Sequence, residues 1–259
     1  MLSQTVPKPR FFEILNAEGN SRVFLVCDHA SNFVPPELDG LGVPEELLSE
    51  HIAWDIGIAE LTKALASRWN APAVLSGFSR LVLDPNRSED SETLIPTISE
   101  HHVIPGNQNL TAEEKGARIG RYHRPYHAAL KFTLDNMLCR QGSPHLRPVV
   151  ICPHSFTPVF NGKQRPWHVS VMWDRDPRLA LPLISSFRDA GYVVGNNEPY
   201  SAREETGHTL RTLSEPFGLT GAMIEVRQDL IGSVEGIAKW ADIVGSAVEA
   251  AIADLDSTH

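Results

Sequence analysis

Seven short apolar runs set the terms on which this chain can fold. They are 22–27 (RVFLVC), 72–76 (PAVLS), 80–84 (RLVLD), 148–152 (PVVIC), 168–173 (HVSVMW), 192–195 (YVVG) and 221–227 (GAMIEVR). They are rich in β-branched residues and almost continuously apolar, the pattern of strands covered on both faces. Longer amphipathic segments separate them and predict helices over 55–69, 111–141, 176–190 and 234–255. Ile56, Ala59, Leu65 and Ala66 mark an apolar face on the first. Ile237, Ala241, Val244, Val248 and Ile252 recur every three or four residues in the last. Asp176-Pro177 offers a cap and a first-turn proline, and Pro125 is expected to break or kink the long segment. This alternation predicts an α/β fold. The expected form is a single-domain three-layer sandwich with a mostly parallel or mixed central sheet and helices on both faces. No repeat or linker divides residues 1–259, and the core runs from about 22 to 255. Segments 85–110 and 155–167 lack periodicity and read as long loops.

The formal net charge of −9 argues against a nucleic-acid or anionic-membrane binder. The three cysteines, Cys27, Cys139 and Cys152, form neither a CxxC pair nor a disulfide framework. The first twenty residues lack the basic start and long apolar core of a signal peptide, and no run reaches the roughly 18–20 apolar residues of a membrane span. A cytoplasmic protein is the expectation.

Several runs stop on residues with chemical potential. The first ends in Asp28-His29 and passes through small residues to Pro35-Pro36. The fourth leads into Pro153-His154-Ser155. Ligands bind at the carboxyl ends of strands in open α/β sheets, so residues far apart in sequence can meet there. His29 and His154 with one carboxylate would make a catalytic zinc shell; either histidine alone is more often a surface or hydrogen-bonded residue, and it is the pair in matching settings that brings the metal reading level with that one. Asp55 is the preferred acid, and Asp28, Glu37 and Asp84 compete for the role. Glu225 sits in the apolar run GAMIEVR, where a carboxylate is costly to bury unless paired or functional. It is either a general base with a raised pKa or the ion-pair partner of Arg227. Arg80 and Arg87 in FSRLVLDPNR suit an acidic substrate, or they are structural arginines paired with Asp84 or Glu89. His123 and His127, four apart, could share a helical face and a metal. Against this, Pro125 lies between them and no acid accompanies them; with Tyr122 and Tyr126 they could instead line a pocket wall or pack in the core. The polar stretch 195–211 reads as a loop offering Tyr200 and His208 to a substrate.

Taken in order, CDHASNFVPPEL, HIAWDIGI, FSRLVLDPNRSED, YHRPYHAAL, PHSFTPV, NNEPYS and IEVRQDLI resemble the N-formylglutamate amidohydrolase family over about residues 22–250. The resemblance implies a fold related to zinc carboxypeptidases and aspartoacylases, with a metal at the strand ends. It implies hydrolysis of N-formylglutamate to glutamate and formate, a late step of histidine catabolism, or of a close N-acyl analogue. By the same resemblance His29 and His154 are metal ligands and Glu225 is the catalytic glutamate. Arg80, Asn86 and Arg87 fall where related enzymes bind carboxylate and carbonyl oxygens. Asn32 stands where the wider zinc hydrolase group carries a metal-binding glutamate, which leaves the carboxylate ligand to Asp55.

The combined expectation is a zinc-dependent amidohydrolase that takes a small acidic N-acyl amino acid. One Zn2+ (another divalent metal would also serve) is held by His29, Asp55 and His154. Glu225 is the base and Arg80 supports the oxyanion. Asn86, Arg87, Tyr200, His208 and Arg227 are the substrate contacts. A homo-oligomer is left open. The alternatives are a non-catalytic metal- or acid-binding protein of the same fold and a metal-free hydrolase using Ser155 or Cys152. No GxSxG elbow surrounds Ser155.

Overall fold

The computed structural model describes residues 11–140 and 147–257. Part of the leader reading (1–10) and the end of the long helix (141) lie outside the described residues. Seven strands form one sheet: β1 (Phe12–Leu15), β2 (Val23–Cys27), β3 (Ala73–Ser76), β4 (Val149–Phe156), β5 (Val169–Met172), β6 (Val194–Asn196) and β7 (Thr220–Arg227). Their order is β1-β3-β2-β4-β7-β5-β6. The β3-β2-β4-β7 centre is parallel, β1 is antiparallel to β3, and β5 is antiparallel to β7. The expected mixed α/β sheet is therefore the observed one.

Besides a single turn at Glu45–Leu48, the α-helices are α1 (Ile58–Trp69), α2 (Ala112–Arg118), α3 (Arg124–Arg140), α4 (Ala180–Asp189), α5 (His208–Ser214) and α6 (Val234–Ser257). Side chains alternate across a strand, so each central strand feeds two cores. Leu25, Cys27, Ile151, Ile224 and Val226 face one layer, where Ile58, Leu65, Leu183, Phe187, Trp240 and Val248 of α1, α4 and α6 meet them. Phe24, Val26, Val150, Cys152 and Met223 face the other, packed against Tyr126, Leu130 and Leu134 of α3 and Leu210 and Leu213 of α5. This double coverage is why the strands read as continuous apolar runs.

Differences from the sequence expectation have physical causes. Residues 80–84 form no strand. Leu81, Val82 and Leu83 are fully buried in a turn held by Val82 N–H to Ser79 O (2.9 Å), and apolar content alone does not distinguish that from a strand. Strand β4 runs through Pro153 to Phe156. Its ladder with β2 stops at Ile151 while pairing to β7 continues, so the residue without an N–H falls where one neighbour has already left. As expected of Pro125, the long helix divides just before it, at a wide turn over Ile119–His123, and a Thr111–Glu114 capping box starts α2. Helix α4 begins at Ala180 because Asp176 is engaged in the preceding turn, accepting from the Arg178 N–H and guanidinium. The two long loops hold small hairpins, Ile98–Ser99 with His102–Val103 and Val159–Phe160 with Lys163–Gln164.

Candidate active site

The carboxyl ends of β2, β4 and β7 converge on one cleft. His29 follows β2 by two residues. His154 and Glu225 are direct cross-strand neighbours in the β4–β7 register. Both have the parity of Cys152 and Met223, so they project to the α3/α5 side. Asp55 arrives from the turn before α1. Its N–H bonds to His29 O (3.0 Å), and Gly57 supplies a φ of +80° where a Cβ would run into the Ile231 carbonyl. All four side chains are buried: His29 3%, Asp55 4%, His154 2% and Glu225 6% exposed.

Asp55 stands between the two imidazoles. Its carboxylate lies 3.4 Å from His29 Nδ1 and 3.0 Å from His154 Nδ1. The outward Nε2 atoms face two other acids: His29 lies 2.8 Å from Asp84, and His154 lies 3.5 Å from Asp28. Asp28 accepts hydrogen bonds from the Tyr126 hydroxyl (2.9 Å) and the Thr209 hydroxyl (3.1 Å). Asp84 pairs with Arg80 at 2.7 Å, and Arg80 also reaches Asp55 at 3.5 Å. One ligand atom from each of His29, Asp55 and His154 lies within 4.8 Å of the others. His29 Nδ1 and Glu225 Oε2 are buried with no hydrogen-bond partner.

The electrostatics follow from burial set against these neighbours. Burial alone would raise Asp84, but Arg80, His29 and Arg87 hold it well below the usual carboxylate range. Burial is likewise outweighed at Asp55 by the two histidines. Burial would depress His154, yet the Asp28 and Asp55 carboxylates beside its two ring nitrogens carry it up to about 10. Glu225 differs from these acids: burial dominates and pushes it up to about 7. Burial is outweighed at Asp28 too, chiefly by His154, so the centre has three ionised carboxylates around the two histidines, beside a fourth acid poised near neutrality. Two imidazoles and a carboxylate, with each outward ring nitrogen facing a further carboxylate, fit a zinc-type dication. The partnerless His29 Nδ1 is the atom such an ion would satisfy.

The cleft has a volume of about 140 Å³ and is also lined by His51, Arg80, Asn86, Arg87, Ser155, Thr157, Tyr200 and Thr206. Asn86 is fully engaged, donating to Thr206 O (2.7 Å) and accepting from Thr209 N–H (2.9 Å). Its visible work is to tie the loop after Asp84 to the start of α5. Arg87 is braced by Thr93 Oγ1 and Asn86 O. The Tyr200 hydroxyl accepts from Arg165 (2.8 Å), whose guanidinium sits over the Tyr200 and Phe160 rings.

Two expected substrate residues lie elsewhere. Arg227 shares the strand face of Glu225, but its guanidinium is taken by Asp229 (2.8 Å) and by the carbonyls of Arg165 and Trp167. His208 does not line the cleft; it begins α5 and stacks near His123 and His127. Of the competing acids, Glu37 bonds Tyr122 and Arg121 away from the centre. Asn32 donates to Leu48 O (2.8 Å). Ser155 donates to Ile56 O (3.0 Å), and burial raises the Cys152 thiol well above its usual range, which leaves neither as an activated nucleophile. Arg165 and Thr209 carry no signal in sequence, because each sits in a polar stretch without periodicity, and nothing local to His51 marks it as facing the cleft. In sequence Tyr126 reads only as a pocket or core residue, and nothing local to it reports the bond to Asp28.

The sequence profile of the N-formylglutamate amidohydrolase family matches residues 21–232. A gene product of Agrobacterium tumefaciens of known crystal structure is 33% identical, with 95% of this chain and 96% of that one aligned and a TM-score of 0.91. An N-formylglutamate amidohydrolase from Ralstonia eutropha JMP134 is 20% identical over 93% of this chain and 96% of its own, with a TM-score of 0.66, and shares the fold. A search of curated proteins gives no significant match.

Proposed function

Because this chain belongs to the N-formylglutamate amidohydrolase family, we propose that it hydrolyses the amide of N-formylglutamate or a close N-acyl acidic amino acid, using a dication held by His29, Asp55 and His154. The observation that carries this reading is Glu225: buried, with Oε2 unpartnered, and directly across from His154. A carboxylate poised near pH 7 beside two imidazoles is suited to move a proton and ill suited to packing.

When bound, the dication supplies Lewis acidity toward the scissile carbonyl and lowers the pKa of water. Glu225 accepts the proton of the attacking water at Oε2 and returns it to the departing amine nitrogen. Arg80, fixed by Asp84 and Asp55, presents positive charge where the carbonyl oxygen becomes an oxyanion. Arg87 takes a substrate carboxylate in a forked hydrogen bond, and the Tyr200 hydroxyl, held by Arg165, offers a second polar contact. Phe156 and Met223 in the cleft wall limit water around the reacting bond.

The test is hydrolysis of N-formyl-Glu, N-formyl-Asp and N-acetyl-Glu before and after chelation. The expected result is turnover of at least one substrate, abolished by the chelator and restored by zinc. Turnover indifferent to chelation would refute the metal assignment. Tight binding of these acids without turnover would favour a non-catalytic binding protein.

A further inference from the structure

Behind the cleft wall lies a second group of histidines that the proposed reaction does not use. His123 closes the wide turn before Pro125, His127 follows one turn later in α3, and His208 opens α5. Their ring centroids are 4.2 Å apart for His123–His127 and 5.6 Å for His127–His208. One ring nitrogen from each lies within 4.8 Å of the others.

The hydrogen bonds sort the nitrogens. His123 Nε2 lies 2.9 Å from Arg87 O, and His127 Nε2 lies 2.9 Å from Pro85 O. A carbonyl only accepts, so both Nε2 atoms carry the proton and the neutral rings keep their lone pairs at Nδ1. His123 is 4% exposed, and its Nδ1 is buried without a hydrogen-bond partner. Glu89 approaches that nitrogen only to 3.8 Å, because Arg124 grips its carboxylate through two hydrogen bonds. Metal-bound histidines characteristically donate their other N–H to a backbone carbonyl, and here two histidines one helical turn apart do so to carbonyls two residues apart.

We propose that His123, His127 and His208 form a second metal site, for a borderline transition-metal dication such as zinc. An all-imidazole donor set without carboxylates or carbonyls disfavours magnesium and calcium. The site would brace the Pro85–Arg87 segment from behind, and that segment carries Asn86 and Arg87 into the cleft. The half-buried His127 and His208 leave room for a water or anion to complete a tetrahedral shell.

The test is zinc stoichiometry. Chelator-stripped protein is mixed with zinc, freed of excess by gel filtration, and its bound metal counted for wild type, His208→Gln and His154→Gln. The expected result is two equivalents in wild type and one in each variant. His208 is partly exposed, so its replacement leaves the core intact; His127→Gln gives the same reading if His208→Gln fails to fold by circular dichroism. A His208→Gln protein that retains as much zinc as wild type overturns the proposal. One equivalent in wild type, lost in His208→Gln but kept in His154→Gln, sustains it and overturns instead the metal assignment at His29, Asp55 and His154.

Discussion

Replacing Glu225 by Gln should move activity and stability in opposite directions. Gln keeps the shape but cannot take a proton, so general-base catalysis is lost and turnover should fall by roughly 10²–10⁴-fold. Zinc content should not change, since Glu225 is not among the proposed ligands. Stability follows from burial. The carboxyl sits at about 7 instead of its usual 4.5, chiefly through desolvation. A carboxyl raised on folding favours the native state when protonated; that contribution is whole below its unfolded value of about 4.5 and is lost as pH rises through about 7. The full difference is worth about 3 kcal/mol. Linkage puts about 1 kcal/mol of the loss at pH 5.5 and nearly all of it by pH 8.5. Urea unfolding of chelator-stripped protein should therefore show Glu225→Gln gaining about 2 kcal/mol on wild type between those two pH values. Near-normal turnover would refute the catalytic role, and a stability difference flat with pH would refute the burial argument.

Three further changes test the surroundings. Arg87→Met should raise KM for N-formyl-Glu by roughly 10–100-fold, the loss of one charged hydrogen-bonding partner, with kcat less affected; steady-state kinetics showing an unchanged KM would remove Arg87 from carboxylate binding. Tyr126→Phe deletes a buried bond to Asp28, the acid facing His154 Nε2, and should weaken zinc affinity by about 10-fold in competition with a chromogenic chelator. Gly57→Ala forces a side chain into a φ of +80° against Ile231 and should cost more than about 1 kcal/mol of stability by urea unfolding, with loss of metal as the Asp55 turn shifts.

The local chemistry of the chain was enough to place the parallel centre of the sheet. Val23–Cys27, Ala73–Ser76 and Thr220–Arg227 are apolar at successive positions because helices cover both faces, and that signal survives in one dimension. Edge strand β1 escaped because Phe12–Leu15 is only partly buried and short. The run 80–84 misled because apolar side chains bury equally well in a turn. His29, His154 and Glu225 stood out in sequence, since polar residues next to apolar strands need a reason to be there.

What those residues meet was decided only by tertiary structure. Register places Glu225 against His154, and a glycine turn brings Asp55 between two histidines whose chain positions differ by more than a hundred residues. The same packing took Arg227 away to Asp229 and gathered His208 with His123 and His127. Residue type sets which partners a side chain can accept. Strand order, register and turn geometry set which partner comes within about 3 Å, where a hydrogen bond forms, and those depend on contacts distant along the chain.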